Sequence, residues 1–141
     1  MKHFLWIIFL CLYGQGYAQT GTVTVTITSF KNNEGKAKVA LYNNAEAFPT
    51  EGDKAVKTAT AVIQNNTATV TFDQVPYGQC AIAVYHDENG NNKLDANWMG
   101  IPNEGVGCSN DAKGHFGPPK FEDAKFSLNA AKMAIGVKVE Y

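Results

Sequence analysis

The sequence predicts an all-β fold, an antiparallel β-sandwich of seven strands with one long ordered loop. Apolar and polar residues alternate over much of the chain. In residues 22–28, Val23, Val25 and Ile27 share one face and threonines occupy the other. Clusters of Asn, Gly and Pro separate the alternating segments, as expected for turns. No segment beyond the first twenty residues has a convincing helical period, so these observations favour two packed antiparallel sheets.

The first twenty residues predict export. A short basic start precedes an apolar run over residues 4–13, and the small residues Gly16 and Ala18 follow in the spacing that a signal peptidase reads. The apolar run has roughly half the length that a bilayer span requires. We therefore expect a cleaved signal peptide over residues 1–18, with a retained anchor as the alternative. The mature chain, residues 19–141, is then a single periplasmic, secreted or cell-surface domain without a transmembrane span.

Seven segments carry the strand pattern. We interpret residues 22–28 and 36–42 as a first hairpin, and the turn residues Asn65 and Asn66 predict a second one. Both sides of residues 80–86 are largely apolar, which predicts a central strand that is covered on both faces. The predicted strands are residues 22–28, 36–42, 57–63, 67–72, 80–86, 124–128 and 133–139.

Residues 87–123 form a predicted loop of more than thirty residues, which is long for a compact domain. Ordered loops of this length are where binding residues concentrate. We expect aromatic rings in and near this loop to be buried and to hold it against the sandwich. An exposed aromatic platform for a ligand is the alternative. The aromatic residues concerned are Tyr77, Trp98, Phe116 and Phe121.

The start of this loop has the spacing of a calcium site. Asp87, Asn89, Asn91 and Asp95 stand at relative positions one, three, five and nine of an EF-hand-like loop, and the backbone carbonyl of Lys93 stands at position seven. A tight turn directs alternate side-chain oxygens toward one centre. Carboxylate, amide and carbonyl oxygens are ligands that suit calcium. The sequence therefore predicts a calcium-binding loop.

Two departures from the EF-hand pattern predict weak binding. Position six is Asn92 in place of glycine, although Asn tolerates the left-handed backbone conformation. Position twelve is Trp98, so the bidentate glutamate is missing. The alternative to a calcium site is an Asn/Gly-rich turn held by side-chain hydrogen bonds to its own backbone.

Cysteine and histidine residues offer two further hypotheses. Cys80 and Cys108 remain after signal cleavage, and their even number permits one disulfide in an oxidising compartment. Two separate thiols are the alternative. A metal-dependent or cysteine-based hydrolase would have to use His86, Asp87, Cys108 and His115 of the long-loop region. No base motif adjoins Cys108, and the histidines are far apart in sequence, so we expect a protein that is not an enzyme.

Charge narrows the class of partner. Eleven lysines remain after signal cleavage against thirteen acidic residues, and the chain has no arginine. Nucleic-acid and phosphate recognition depend heavily on arginine, and no basic stripe replaces it here, so we expect neither a nucleic-acid partner nor an arginine-type phosphate site. The predicted function is an exported binding or structural module of the bacterial envelope, and its expected partner is an envelope protein, a peptide or a glycan.

Three motifs closely resemble the bacterial exported domain-of-unknown-function family 2141. They are residues 83–95 (AVYHDENGNNKLD), 100–107 (GIPNEGVG) and 116–124 (FGPPKFEDA). Residues 35–42 (GKAKVALY) are similar to that family's second strand. The resemblance covers nearly all of the mature chain, and it implies an exported bacterial protein without an established activity.

A second resemblance concerns the fold. Residues 72–84 (FDQVPYGQCAIAV) look like the transthyretin-like, carboxypeptidase-regulatory and Cna-B sandwiches, in which a Pro-x-Gly turn leads into a core strand. This resemblance implies an immunoglobulin-like or transthyretin-like sandwich. Some adhesin modules of this kind carry calcium loops similar to residues 87–95, but a shared fold does not transfer function.

Overall fold

A computed structural model describes residues 18–141, so the predicted signal peptide, apart from Ala18, lies outside the described residues. The described part contains eight strands and three short helices. The strands are β1 (Thr20–Thr28), β2 (Lys36–Tyr42), β3 (Lys57–Ala61), β4 (Ala68–Pro76), β5 (Gly78–Asp87), β6 (Val106–Cys108), β7 (Phe126–Leu128) and β8 (Lys132–Lys138). The helices are two 3-10 turns, Gly52–Lys54 and Ser109–Asp111, and α1 (Phe121–Ala124). None of these helices is long and apolar enough to cross a membrane.

The strands form two sheets that share a core. One sheet has the order β4-β1-β8, and the other has the order β3-β2-β5-β6, with β7 also paired to β5. Val25 and Phe72 of the first sheet and Val39 and Ile82 of the second are buried in the same apolar cluster. Burial of this alternating face accounts for the period of two in the sequence. The predicted β-rich fold is therefore confirmed.

The predicted number of strands is wrong, and the prediction of antiparallel pairing holds for every strand pair except β1 with β8. The additional strand is β6, which lies inside the predicted loop of residues 87–123. It has only three residues, one of them glycine, and is too short to show alternation. In addition, β1 and β8 run parallel, with Val25 opposite Ile135, so the fold is mixed and not purely antiparallel. Alternation indicates which face of a strand is buried, but it carries no information about the direction of the neighbouring strand.

Both predicted hairpins are also wrong, because their strands belong to different sheets. β1 pairs with β4 and β8, whereas β2 pairs with β3 and β5. The connection between β1 and β2 crosses from one sheet to the other and buries Phe30 in the shared core. The turn at Asn65 and Asn66 is present, with φ of 52° and 58°. It closes only the bridge from Gln64 to Thr67, and β3 and β4 then join separate sheets.

β5 is the central strand that the sequence predicts. It pairs with β2, β6 and β7. Its inward side chains, such as Ile82, join the shared core, and outward ones such as Ala81 join a second buried cluster that includes Phe121 of α1. Ser109 fixes this outer layer because its Oγ accepts the Ile82 N–H at 2.9 Å and donates to the Ala124 carbonyl at 2.6 Å. Asp87, the last residue of β5, lies on this same outward face of the strand.

Gly35 fixes how closely the turn before β2 approaches the end of β5. Its φ is 62°, and a Cβ at this position would overlap the carbonyl oxygen of Asp87. The left-handed conformation alone costs a non-glycine residue about 1–2 kcal/mol, and the overlap adds to this cost. We predict that Gly35→Ala lowers the free energy of unfolding by about 2 kcal/mol or more, measured by urea denaturation.

The matched control is Gly52→Ala, because a Cβ at Gly52 has no heavy atom within 4 Å. This variant should unfold at nearly the same urea concentration as the parent chain. Equal losses in the two variants would contradict the role assigned to Gly35.

Candidate metal centre

The site begins with a buried carboxylate at the end of β5. Asp87 is only 1% exposed and lies on the outer face of the five-stranded sheet. Its Oδ2 atom accepts the Asn92 N–H at 2.9 Å. Its Oδ1 atom is buried and has no hydrogen-bond partner within residues 18–141. Because an unpaired buried oxygen is costly, a water molecule or a cation beside Oδ1 would lower the free energy of the folded chain.

The next residues fold over this end of the strand in two successive side-chain turns. Asn89 Oδ1 accepts the Asn91 N–H at 3.1 Å, and Asn91 Oδ1 accepts the Lys93 N–H at 3.0 Å. The amide nitrogens of both asparagines donate to the Asp95 carboxylate, at 2.6 Å from Asn89 and at 2.8 and 3.0 Å from Asn91. The structure thus brings together Asn89, Asn91 and Asp95, and the Asn92 N–H connects them to Asp87.

The backbone of residues 87–95, the 87–95 loop, has the left-handed positions that such a turn requires. Gly90 has a φ of 72° and Asn92 has a φ of 62°. Asn92 adopts this conformation where an EF-hand has glycine. Its Oδ1 atom accepts a hydrogen bond of 2.7 Å from Lys38 Nζ on β2. The loop is therefore anchored on the sheet by a side-chain contact as well as by its covalent ends.

Glu104 is a third carboxylate at this site that sequence reasoning missed. It is 6% exposed, and its two oxygens accept the N–H groups of Glu88 and Asp95, each at 3.2 Å. It thus connects the beginning and the end of the 87–95 loop. The signal in the sequence is slight: Glu104 is the only acidic residue between Asp95 and Asp111.

The electrostatics of the site follow from these contacts. Hydrogen bonds from the Asn91 and Asn89 side chains lower the pKa of Asp95. Burial, and then the negative charges of Asp87, Glu104 and Asp95, raise the pKa of Tyr85 on β5. Negative charge is therefore concentrated beside the buried end of β5, where a cation would lower the electrostatic energy.

The available atoms match the preferences of calcium better than those of a transition metal. Asp87 Oδ1 is free, and the amide oxygens of Asn89 and Asn91 each accept one N–H and keep a second lone pair. Within residues 18–141 no three His, Cys, Asp or Glu side chains lie close enough together to form a metal-binding group, so a cation here would also need amide or carbonyl oxygens. A mixed set of carboxylate and amide oxygens is typical of calcium. The Lys93 carbonyl as a ligand stays a prediction.

The permitted disulfide between Cys80 and Cys108 is absent. Both are free, buried thiols. Cys80 belongs to the core between the sheets, whereas Cys108 belongs to the outer cluster with Ala81. The two thiols thus lie on opposite faces of the five-stranded sheet, and a disulfide would require one strand to turn over.

The residues of the hydrolase alternative are not assembled. His86 is fully buried on the inner face of β5, so it lies on the other side of the sheet from Cys108. Its Nε2 donates to the Glu34 carbonyl and its Nδ1 accepts the Tyr141 hydroxyl, both at 2.7 Å. Neither ring nitrogen is left for a metal or a nucleophile. His115 lies in an exposed segment.

The aromatic residues near the long loop divide into two groups. Phe121 is buried against Phe48 and holds the outer layer, and Tyr77 is half-buried beside the core, as expected. Trp98 and Phe116 are exposed, so the expectation that their rings hold the loop is wrong. The two exposed rings are set on separate turns, on either side of β6.

A family comparison covers this site. The family described as an uncharacterized protein conserved in bacteria (DUF2141) matches residues 25–136. The chain belongs to this family. The DUF2141 match runs from β1 to β8 and includes both the 87–95 loop and Glu104, so the predicted family membership is confirmed. The chain matches no curated protein and no solved structure.

The two cysteines should be inert thiols in the native protein. Burial raises the pKa of Cys108 to about 12 and also raises that of Cys80, so neither forms a thiolate near neutral pH. We predict that a thiol reagent such as DTNB labels neither cysteine in the folded chain and labels both after denaturation in urea without reductant. An intact mass lower by two hydrogen atoms, together with no labelling of the unfolded chain, would instead establish a disulfide.

The titration of Asp95 should depend on the two asparagines. Because their hydrogen bonds lower its folded-state pKa, they favour folding above the unfolded pKa, and this contribution is lost as the pH falls through the folded pKa. We predict that Asn91→Ala raises the pKa of Asp95 in calcium-free buffer, measured by carboxyl-carbon NMR. Asn44→Ala, which removes an amide elsewhere on the surface, should leave the Asp95 titration unchanged.

Proposed function

We propose that this DUF2141 chain is an exported, non-enzymatic binding module in which calcium orders one end of the β-sandwich. The observation that carries the proposal is the buried Oδ1 atom of Asp87, which has no partner within residues 18–141, while Oδ2 of the same carboxylate accepts the Asn92 N–H of the 87–95 loop. An ion at this position would neutralise the buried carboxylate and supply its missing contact.

The proposed ligands are those with the EF-hand-like spacing. Asp87 and Asp95 would supply carboxylate oxygens, Asn89 and Asn91 amide oxygens, and Lys93 its backbone carbonyl. Two charged ligands, with no bidentate glutamate at position twelve, support an affinity in the range of extracellular calcium modules, with a dissociation constant of about 0.1–1 mM. Such a range suits a protein exported beyond the cytoplasm.

Glu104 would extend the effect of the ion beyond the 87–95 loop. Because its carboxylate binds the N–H groups of Glu88 and Asp95, ordering this loop also orders the segment that returns to β6. Calcium would thus set the shape of residues 87–104, a surface for an envelope partner. A role in binding is supported over hydrolysis because His86 and Cys108 occupy opposite faces of one sheet.

The finer fold assignment is part of the same proposal. An immunoglobulin-like or transthyretin-like arrangement is supported by two sheets around one core and by the turn at Pro76–Gly78, which leads directly into the central strand β5. In this arrangement the connections gather at the ends of the sandwich, which is where the 87–95 loop lies.

Calcium should stabilise the mature chain, residues 19–141. At about 10 mM calcium a dissociation constant of 0.1–1 mM corresponds to about 1.4–2.7 kcal/mol, or a rise in Tm of roughly 5–10 °C. We predict this rise over the Tm in EDTA, measured by circular dichroism. Asp87→Asn should abolish the rise, because an amide provides less charge for the ion. Magnesium at the same concentration should give little rise, since it requires a stricter octahedral shell.

The matched control is Asp53→Asn, which removes an exposed carboxylate from the 3-10 turn Gly52–Lys54 and should keep the full calcium response. If Asp87→Asn does not fold, Glu104→Gln provides the second variant, and its response should be smaller than that of the parent. Identical melting of the parent chain in calcium and in EDTA would overturn the proposal, leaving the 87–95 loop as a turn held by its own hydrogen bonds.

A further inference from the structure

The exposed apolar residues of the chain are concentrated next to the 87–95 loop. Trp98 is 90% exposed, Met99 58% and Ile101 53%. We call these three residues the apolar tip. Leu94, at the end of the 87–95 loop, is exposed as well. Four of the seven exposed large hydrophobic residues within the described chain thus lie between positions 94 and 101, so this is a patch and not the usual scatter.

The apolar tip is held outward by a defined turn. Asn97 Oδ1 accepts the N–H groups of Met99 and Ile101 at 2.9 and 3.0 Å. The backbone groups of Asn97 bond to Ile101 and Gly100, each at 2.9 Å, and Gly100 has a φ of 78°. The bridge from Ala96 to Pro102 closes the turn. These bonds fix the backbone of the turn. A partner that binds the apolar side chains would therefore not have to order the turn first, and less conformational entropy would be lost on binding.

Binding of one Ca²⁺ would make the charge beside the apolar tip more positive by two units. Residues 87–104 contain four carboxylates and one lysine, and Lys31 and Lys38 contact this segment through Glu88 and Asn92. The formal charge of this group is −1 without an ion and +1 with one Ca²⁺. The occupied site would therefore interact with an anionic surface more favourably than the free site.

We propose that the apolar tip is a calcium-dependent contact with an anionic phospholipid bilayer, inserting between headgroups while the bound ion faces lipid phosphate. This inference rests on the proposed calcium site. A bilayer accepts a convex tip without a complementary pocket, and tryptophan favours the membrane interface. Three side chains are few for a stable protein interface, which buries about 1,000 Å² or more.

Electrostatic attraction between the bound ion and anionic lipid would add to the apolar contribution to membrane binding. A single small apolar anchor binds membranes marginally, and stable attachment requires an additional contribution. The ion provides it at the correct place, because Asp95, one of its proposed ligands, is two residues from the turn that begins at Asn97. Apolar insertion and phosphate attraction would thus act on the same segment of chain, and calcium would control both.

Trp98 allows the contact to be measured directly, because it is the only tryptophan of residues 19–141. The experiment mixes this chain with vesicles of phosphatidylcholine and phosphatidylglycerol, in millimolar calcium or in EDTA. The expected result in calcium is a blue shift of tryptophan emission together with co-sedimentation of the protein. Both signals should be lost in EDTA and with vesicles of phosphatidylcholine alone.

A double variant tests the apolar tip without removing the reporter. Met99→Ser with Ile101→Ser should lower vesicle partitioning by about tenfold or more, because two apolar side chains no longer leave water. Its calcium-dependent rise in Tm should be retained. The matched control is Phe116→Ser, which removes a fully exposed aromatic ring from a separate turn and should bind vesicles like the parent.

The outcomes separate this inference from the proposed function. A calcium-dependent rise in Tm without vesicle binding would overturn the membrane contact and leave the calcium site. Vesicle binding that requires the apolar tip but persists in EDTA would support the lipid contact and overturn its control by calcium. If Phe116→Ser lost as much vesicle binding as the double variant, the assignment of membrane binding to the apolar tip would be overturned. In the absence of vesicles, tryptophan emission could shift to the blue with increasing protein concentration while sedimentation shows dimers. That result would overturn the membrane contact and identify a second copy of the chain as the partner of the apolar tip.

Discussion

Burial of β5 on both faces is the constraint on which the rest of the structure depends. Inward side chains of this strand complete the core between the sheets, and outward ones require a second apolar layer that Phe48, Phe121 and Cys108 supply. The alternation continues to the end of the strand, where the last outward residue is Asp87 instead of a hydrophobic one. A buried carboxylate needs hydrogen-bond donors, and the 87–95 loop supplies one of them, the Asn92 N–H, to Oδ2.

The register of β6 explains why Glu104 takes part in this site. β6 pairs with β5 so that Val106 lies opposite Tyr85, and the Gly105 carbonyl accepts the His86 N–H at 2.8 Å. The residue before Gly105 is thereby placed beside Glu88, although sixteen positions separate the two in sequence. A three-residue strand containing glycine has no periodic signal. Neither β6 nor the third carboxylate that it positions was therefore predictable from local pattern.

What the sequence could predict was local. The alternation of apolar and polar residues located the central parts of β1, β2 and β5. The spacing of the acidic and amide residues in 87–95 located the loop in which Asn89, Asn91 and Asp95 form hydrogen bonds with one another. Sheet membership was not predictable, because the turn at Asn65 and Asn66 reverses the chain identically whether the next strand pairs locally or crosses to the other sheet. The exposure of Trp98 was not predictable either, since aromatic rings in long loops are more often buried.

The hydrogen bonds that the loop already contains determine how calcium would act. The amide nitrogens of Asn89 and Asn91 bind the Asp95 carboxylate, so this charge is partly compensated before any ion arrives. An incoming cation has to displace these donors, and the free energy of binding is reduced by the free energy of the bonds that are lost. Asp87 offers the opposite contribution, because its Oδ1 loses no protein partner on binding. At the proposed site these two contributions would together give weak, reversible occupancy, which would suit the proposed calcium-dependent contact better than a permanent structural ion would.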